Sequence, residues 1–153
     1  MTQIASFLQR TGVLTEEQVD AILDSARRSG IKVTEAVVQS GFVPEDQFVE
    51  ALAGVLRLPF VRLGSLTIEP TVLQRLPTKA VFQYGVIPIA FENETLRVAA
   101  SDPFDAHLMD ALRMAAGTRV KLSLSPPSDI IKAVRTFYGV GAETVDKMMQ
   151  DDR

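Results

Sequence analysis

Apolar residues recur at helical spacing up to about Arg57, and from Leu58 onward they alternate or run in short blocks. In the first stretch Thr15-Glu16-Glu17-Gln18 reads as a capping box, with the Thr15 hydroxyl accepting from an early helix N–H and Gln18 reaching back. Val19, Ile22, Leu23 and Ala26 behind it share one face at i, i+3, i+4, i+7, and Gly30 supplies the stop. A second long helix is expected from Pro44, with Glu45 and Asp46 where the helix dipole favours acids. Its buried face should hold Phe48, Ala51, Leu52 and Val55. Shorter helices over Gln3–Arg10 and Val33–Ser40 precede the two long ones.

These segments form a repeat. When Gly12 is laid on Gly41, Leu8 meets Val37, Leu14 meets Val43, Val19 meets Phe48 and Leu23 meets Leu52. Two helix–turn–helix units with one apolar face each would bury those faces together.

The second stretch has a different period. Leu58-Pro59-Phe60-Val61 is a short extended segment, and Pro59 marks the expected seam between a helical part (1–57) and an α/β part (58–140). Short helices are expected over 70–76 and Thr78–Tyr84. Residues 86–91, the turn Glu92-Asn93-Glu94 and residues 95–100 read as a β-hairpin, with Pro88 placing the first strand at an edge or a bulge. Asp105 is expected to cap a helix carrying Leu108, Leu112 and Ala115 and closed by Gly117. Arg119 to Leu124 alternates as a third strand, and Pro126-Pro127-Ser128 opens a last helix with Ile130, Val134 and Phe137, ended by Gly139. The fold class expected is therefore α+β: about four repeat helices, then a small α/β sandwich whose helices cover one face of a three-stranded sheet. Residues 141–153 are polar and read as a tail or linker.

Composition narrows the chemistry. The chain has 153 residues, 46% hydrophobic and 23% charged, with a formal charge of −3, which suits a folded globular unit and excludes intrinsic disorder. It has no Cys, so disulfides, thiolate zinc sites and cysteine nucleophiles are excluded. Mild acidity argues against non-specific nucleic-acid binding. The N-terminus lacks a basic n-region, and the longest uncharged apolar run, 80–91, falls far short of a membrane span of ~20 residues. Any membrane association is expected to be indirect.

No Gly-x-x-x-x-Gly-Lys-Ser/Thr occurs, so no phosphate-cradling loop and no ATP hydrolysis are expected of this chain. Gly139-Val140-Gly141-Ala142 follows a helix and lacks a third Gly, which makes it a helix stop and not a dinucleotide fingerprint. His107 is the sole His and reads as a surface residue. Asp102, Asp105 and Asp110 bunch near one helix start; they suit either a hard-cation or acid–base site, or a turn, a cap and a solvated carboxylate. Arg27, Arg28 and Lys32 answer a helix C-terminus or meet an anion. Met148-Met149 is either an adaptable docking surface or part of the tail. No catalytic residue and no metal ligand is assigned.

The order of segments resembles a known family. The helical repeat, then Leu58-Pro59-Phe60-Val61, Leu76-Pro77, Ile87-Pro88-Ile89, Leu96-Arg97-Val98-Ala99-Ala100-Ser101-Asp102-Pro103 and residues 130–139 are similar to the N-terminal domain of type II secretion and type IV pilus assembly ATPases, the GspE, PilB and MshE group. The resemblance implies a non-catalytic cytoplasmic adaptor. It would join a RecA-like motor, where ATP is used, to the cytoplasmic domain of an inner-membrane platform protein (GspL, or a PilM-like partner). The resemblance also implies a second role, binding cyclic di-GMP through two copies of Arg-Leu-Gly-x-x-Leu-Val-x-x-Gly-x-Ile. On this sequence those copies carry over to Gln3, Ile4, Leu8 and Gly12, and to Lys32, Val33, Val37 and Gly41. Arg-Leu-Gly becomes Gln3-Ile4-Ala5 and Lys32-Val33-Thr34, and the closing Gln becomes Ala26 and Val55. An Arg fork binds phosphate or guanine in a bidentate way that Gln and Lys do not reproduce. Losing two charge-assisted contacts of ~1.5–3 kcal/mol each would lower affinity by roughly 10²–10⁴.

Overall fold

A computed structural model describes residues 3–138. Four helices come first: α1 (Gln3–Arg10), α2 (Glu16–Ser29), α3 (Val33–Ser40) and α4 (Glu45–Leu56). The Thr15 capping box is formed in both directions, Thr15 N–H to Gln18 Oε1 at 3.0 Å and Gln18 N–H to Thr15 Oγ1 at 3.1 Å. Then follow α5 (Pro70–Leu73), α6 (Thr78–Tyr84), β1 (Val86–Glu92), β2 (Thr95–Ala100), α7 (Leu108–Ala116) and β3 (Arg119–Leu124). A last helix, α8, runs over 127–138 as far as the described residues reach. The α+β class and the three-stranded sheet are as the pattern predicts. The proposed Gly139 stop, the 141–153 tail and the Met148-Met149 pair lie outside the described residues.

The sheet order is β1-β2-β3, antiparallel between the first two and parallel between the last two. A parallel neighbour needs a crossover, which α7 supplies. Pro88 fits because β1 is an edge strand and the register shifts between Pro88 and Ala90. The hairpin turn is tighter than the sequence suggested: Glu92 stays in β1, and Asn93 and Glu94 turn the chain with φ of 52° and 59°. Two successive positive φ angles match the twist of the flanking strands.

Several expectations need correction. Helix α5 stops at Leu73 instead of running to Leu76; a turn follows, with Arg75 N–H donating to Val72 O at 3.0 Å, and Pro77 disfavours helical backbone at Leu76. Helix α7 begins at Leu108 with His107 at its N-cap. Asp105 is not the cap; its Oδ1 accepts from the His107 N–H at 2.9 Å in a turn ahead of the helix. In α4 the fully buried face is Phe48, Val49, Leu52 and Ala53, while Ala51 and Val55 are half-buried. That face is rotated because α4 meets α1 and α3 on one flank and β3 on another. Leu23 is likewise half-buried.

The sheet is also covered more fully than one-faced packing would leave it. Leu96, Val98, Ala100, Val120, Leu122 and Leu124 form one face buried along its length. The opposite face is buried at one end, where Ile87, Ala99 and Ser123 pair across the strands. At the other end it exposes Arg97, Arg119 and Lys121. One continuous core cluster includes Leu8, Val37 and Phe48 from the helices and Leu96, Leu112 and Leu124 from the α/β part. The segment after Pro59 joins the sheet edge, with Leu124 N–H donating to Pro59 O at 2.8 Å and Val61 N–H to Leu124 O at 2.9 Å.

Candidate functional site

Helix N-termini carry orphan N–H groups and a partial positive charge, so carboxylates are drawn to them. Two such ends are satisfied across the junction between the helical and α/β parts. Asp102, just past β2, accepts from Thr34 N–H of α3 at 3.0 Å with one oxygen and from Phe104 N–H at 2.9 Å with the other. Glu45, the first residue of α4, accepts from Ser128 N–H at the start of α8 at 3.3 Å and also from the Ser128 hydroxyl. Each part thus lends the other a carboxylate. A third tie runs from Lys32 Nζ to the carbonyl of Tyr84, the last residue of α6, at 3.3 Å. A cation there answers the negative end of that helix.

Ile4, Lys32, Val33, Tyr84, Asp102 and Asp105 line a groove of about 250 Å³ at this junction. It gathers three of the eight residues carried over by resemblance, Ile4, Lys32 and Val33. The other five are elsewhere. Gln3 is exposed at the start of α1. Leu8 and Val37 are 0% exposed and belong to the core. Gly12 and Gly41 sit in turns with φ of 73° and 71°, and a Cβ built on either would meet nothing within 4 Å. The left-handed backbone that each turn needs accounts for a glycine at both places. Among the described residues that line the groove, Lys32 is the one cation, alongside the carboxylates Asp102 and Asp105. The anion-attracting start of α3 is taken by Asp102.

The remaining sequence candidates separate. Arg27 and Arg28 pair with Asp24 on α2 at 3.4 and 3.1 Å, well exposed and apart from Lys32's contact. Asp110 pairs with Arg113 at 2.9 Å. His107 is exposed. Among the described residues no group of three His, Asp or Glu side chains is placed to hold a metal.

Sequence reasoning missed a second feature, the groove of about 490 Å³ between residues 62–66 and α8. Asp129 organises its wall, accepting from Arg62 Nε at 3.0 Å, Arg62 Nη2 at 3.3 Å and Leu63 N–H at 3.0 Å. Burial alone would push the Asp129 carboxyl up. The hydrogen bonds from Arg62 and Leu63 and the charges of Arg62 and Lys132 outweigh it and hold its pKa below the ordinary value. Arg62, also 3.6 Å from Asp46, has its pKa raised by the same partnership. At the far end of α8, burial pushes the Tyr138 hydroxyl up to about 12, and it has no hydrogen-bond partner among the described residues. The Asp129 pairings join residues far apart in the chain, so no local sequence signal announces them. The apolar spacing of α8 was the one available clue.

No described helix is long and apolar enough to cross a membrane. Among curated proteins, the chain is 19% identical to the type IV pilus assembly ATPase PilB of Myxococcus xanthus over 97% of this chain and 26% of that one. It is 24% identical to bacteriophage adsorption protein B of Escherichia coli K12, over 88% of this chain and 18% of that one. It is 26% identical to the type II secretion system protein E of Xanthomonas campestris, over 80% and 22%. The chain therefore spans about a quarter or less of these relatives. Among solved structures, MshE solved with cdg matches at a TM-score of 0.73 and 22% identity, covering 90% of this chain and all of that one. The N-terminal domain of XpsE matches at 0.72 and 24%, covering 90% and 94%. Both likenesses concern the fold. The MshEN domain family matches residues 56–144, from the end of α4 through the α/β part. That match covers more than half of the sequence, and the chain belongs to the MshEN domain family.

Proposed function

We propose that this chain is a non-catalytic docking module of a type II secretion ATPase. It would position the motor on the cytoplasmic domain of an inner-membrane platform protein, GspL in secretion systems or a PilM-like protein in pili. Its place would be in the cytoplasm, peripheral to the inner membrane through that partner. The relatives named for secretion and pilus assembly support this machinery, and the part matched here is 26% of one and 22% of the other. The motor and its ATP would lie in that remainder.

The carrying observation is the make-up of the junction groove. Among its described lining residues one cation, Lys32, stands with two carboxylates, Asp102 and Asp105, and the start of α3 already has its carboxylate. A doubly anionic nucleotide would have to displace that cap and lie beside Asp105. The rival reading, a cyclic di-GMP receptor, draws on the fold likeness to MshE, which was solved with that nucleotide. Calorimetry with cyclic di-GMP is expected to give no saturable heat, while the platform's cytoplasmic domain co-elutes with the chain on a sizing column. Saturable heat at micromolar nucleotide that disappears in Lys32→Ala would favour the receptor. Separate elution of the two proteins would sink the docking role.

A further inference from the structure

The exposed half of the sheet carries charge that the fold does not use. Arg97 on β2 lies directly opposite Lys121 on β3, and Arg119 lies opposite Thr95 on the same face. Like charges directly opposite in a sheet are destabilising. None of the three cations has an acidic partner within ion-pair distance among the described residues, unlike Arg27, Arg28, Arg62 and Arg113. They stand out as a positive field on a chain of net charge −3. Beside them is a shallow depression of about 90 Å³ whose single carboxylate is Glu92.

The adjoining strand, β3, is an edge strand of the sheet. Leu124 turns its N–H and C=O away from β2, toward Pro59 and Val61. Alternate residues of a strand share that direction, so Leu122 and Val120 present their backbone groups along the same edge. The 59–61 segment pairs with β3 at the Phe60–Leu124 bridge, and no backbone hydrogen bond among the described residues engages the edge groups of Leu122 or Val120. An open edge is a template for an added strand.

We propose that β3 accepts an extended acidic segment of a protein partner as a fourth strand. Its acidic side chains would stand beside Arg119 and Lys121, and the alternate apolar ones beside Val120 and Leu122. Charge complementarity selects the occupant, since a basic or neutral strand would leave the three cations unpaired.

The test uses the full chain, labelled with ¹⁵N, and a soluble peptide alternating Glu and Val over eight residues. Saturable shifts of the 119–123 amides are expected, with slowed exchange at Val120 and Leu122. A peptide with Lys for Glu is expected not to bind, and 0.5 M salt should weaken the Glu peptide by screening. The exposed double variant Arg97→Glu/Lys121→Glu, checked for an unchanged melting curve, should bind roughly tenfold or more weakly. Absence of binding by the wild-type chain would overturn the proposal. So would shifts confined to side chains with unchanged exchange at Val120 and Leu122, which would mean charge attraction without strand addition. Unchanged binding by a double variant that now self-associates would also overturn it, because the cations would then only guard the edge.

Discussion

Asp102 shows how much one carboxylate can do when both its oxygens are engaged. It closes its own turn through Phe104 N–H and caps α3 through Thr34 N–H. Asp102→Ala should lower stability by about 1–2 kcal/mol in chemical denaturation, and Asp102→Asn, which keeps one acceptor, by less. An unchanged midpoint would show the α3 cap to be idle. Asp129 makes a pH-dependent contribution. Its pKa is lower in the folded chain than the ordinary 3.8, so the stability it adds is present above that value and is lost as pH falls through the folded pKa. The advantage of wild type over Asp129→Asn should therefore hold at neutral pH and shrink in urea melts as the pH drops below 3.8. A gap that widened in acid would contradict the sign. The sequence pointed to Asp102 as a turn residue, correctly, but not to its second partner 68 positions away.

Helices α1 to α4 come from local rules, and local changes should register there. Removing the Thr15 hydroxyl in Thr15→Ala breaks half of the capping box and should cost about 1 kcal/mol, read as a lower denaturation midpoint and faster amide exchange in the first turn of α2. The cap residues, the amphipathic spacing and the Gly12/Gly41 correspondence were all legible because each is set within a few residues. The rotation of the α4 face was not. Val49 and Ala53 are buried on a helix that packs against β3 as well as α1 and α3, and no feature of residues 45–56 reveals that a sheet will pack there.

Across the molecule, the reciprocal carboxylates and the shared core couple the helical and α/β parts. Leu52 on α4 and Leu124 on β3 are both 0% exposed members of one cluster. Leu52→Ala should cost about 2–5 kcal/mol. It should lower the melting of the sheet and of the helices together, followed by exchange at β3 and α2 amides. Two resolved transitions would mean that the packing between the parts adds little cooperativity. The same coupling bears on the proposed docking role, since a module that tethers a motor transmits force better as one cooperative body.

The sequence by itself determined which segments become helix or strand, where most of them stop, and that the class is α+β. Those outcomes follow from periodicity, caps, Pro and Gly, which act over a handful of residues. It also showed that these 153 residues contain no Cys. Only the tertiary structure decided that three of the eight carried-over residues share a groove, that two more are core, and that Asp102 and Glu45 reach across to helix ends. It alone left half a sheet face positively charged beside a sheet edge. Such pairings depend on which surfaces meet after the chain has folded, and the free energy selecting them comes from buried area and dipoles far apart in sequence.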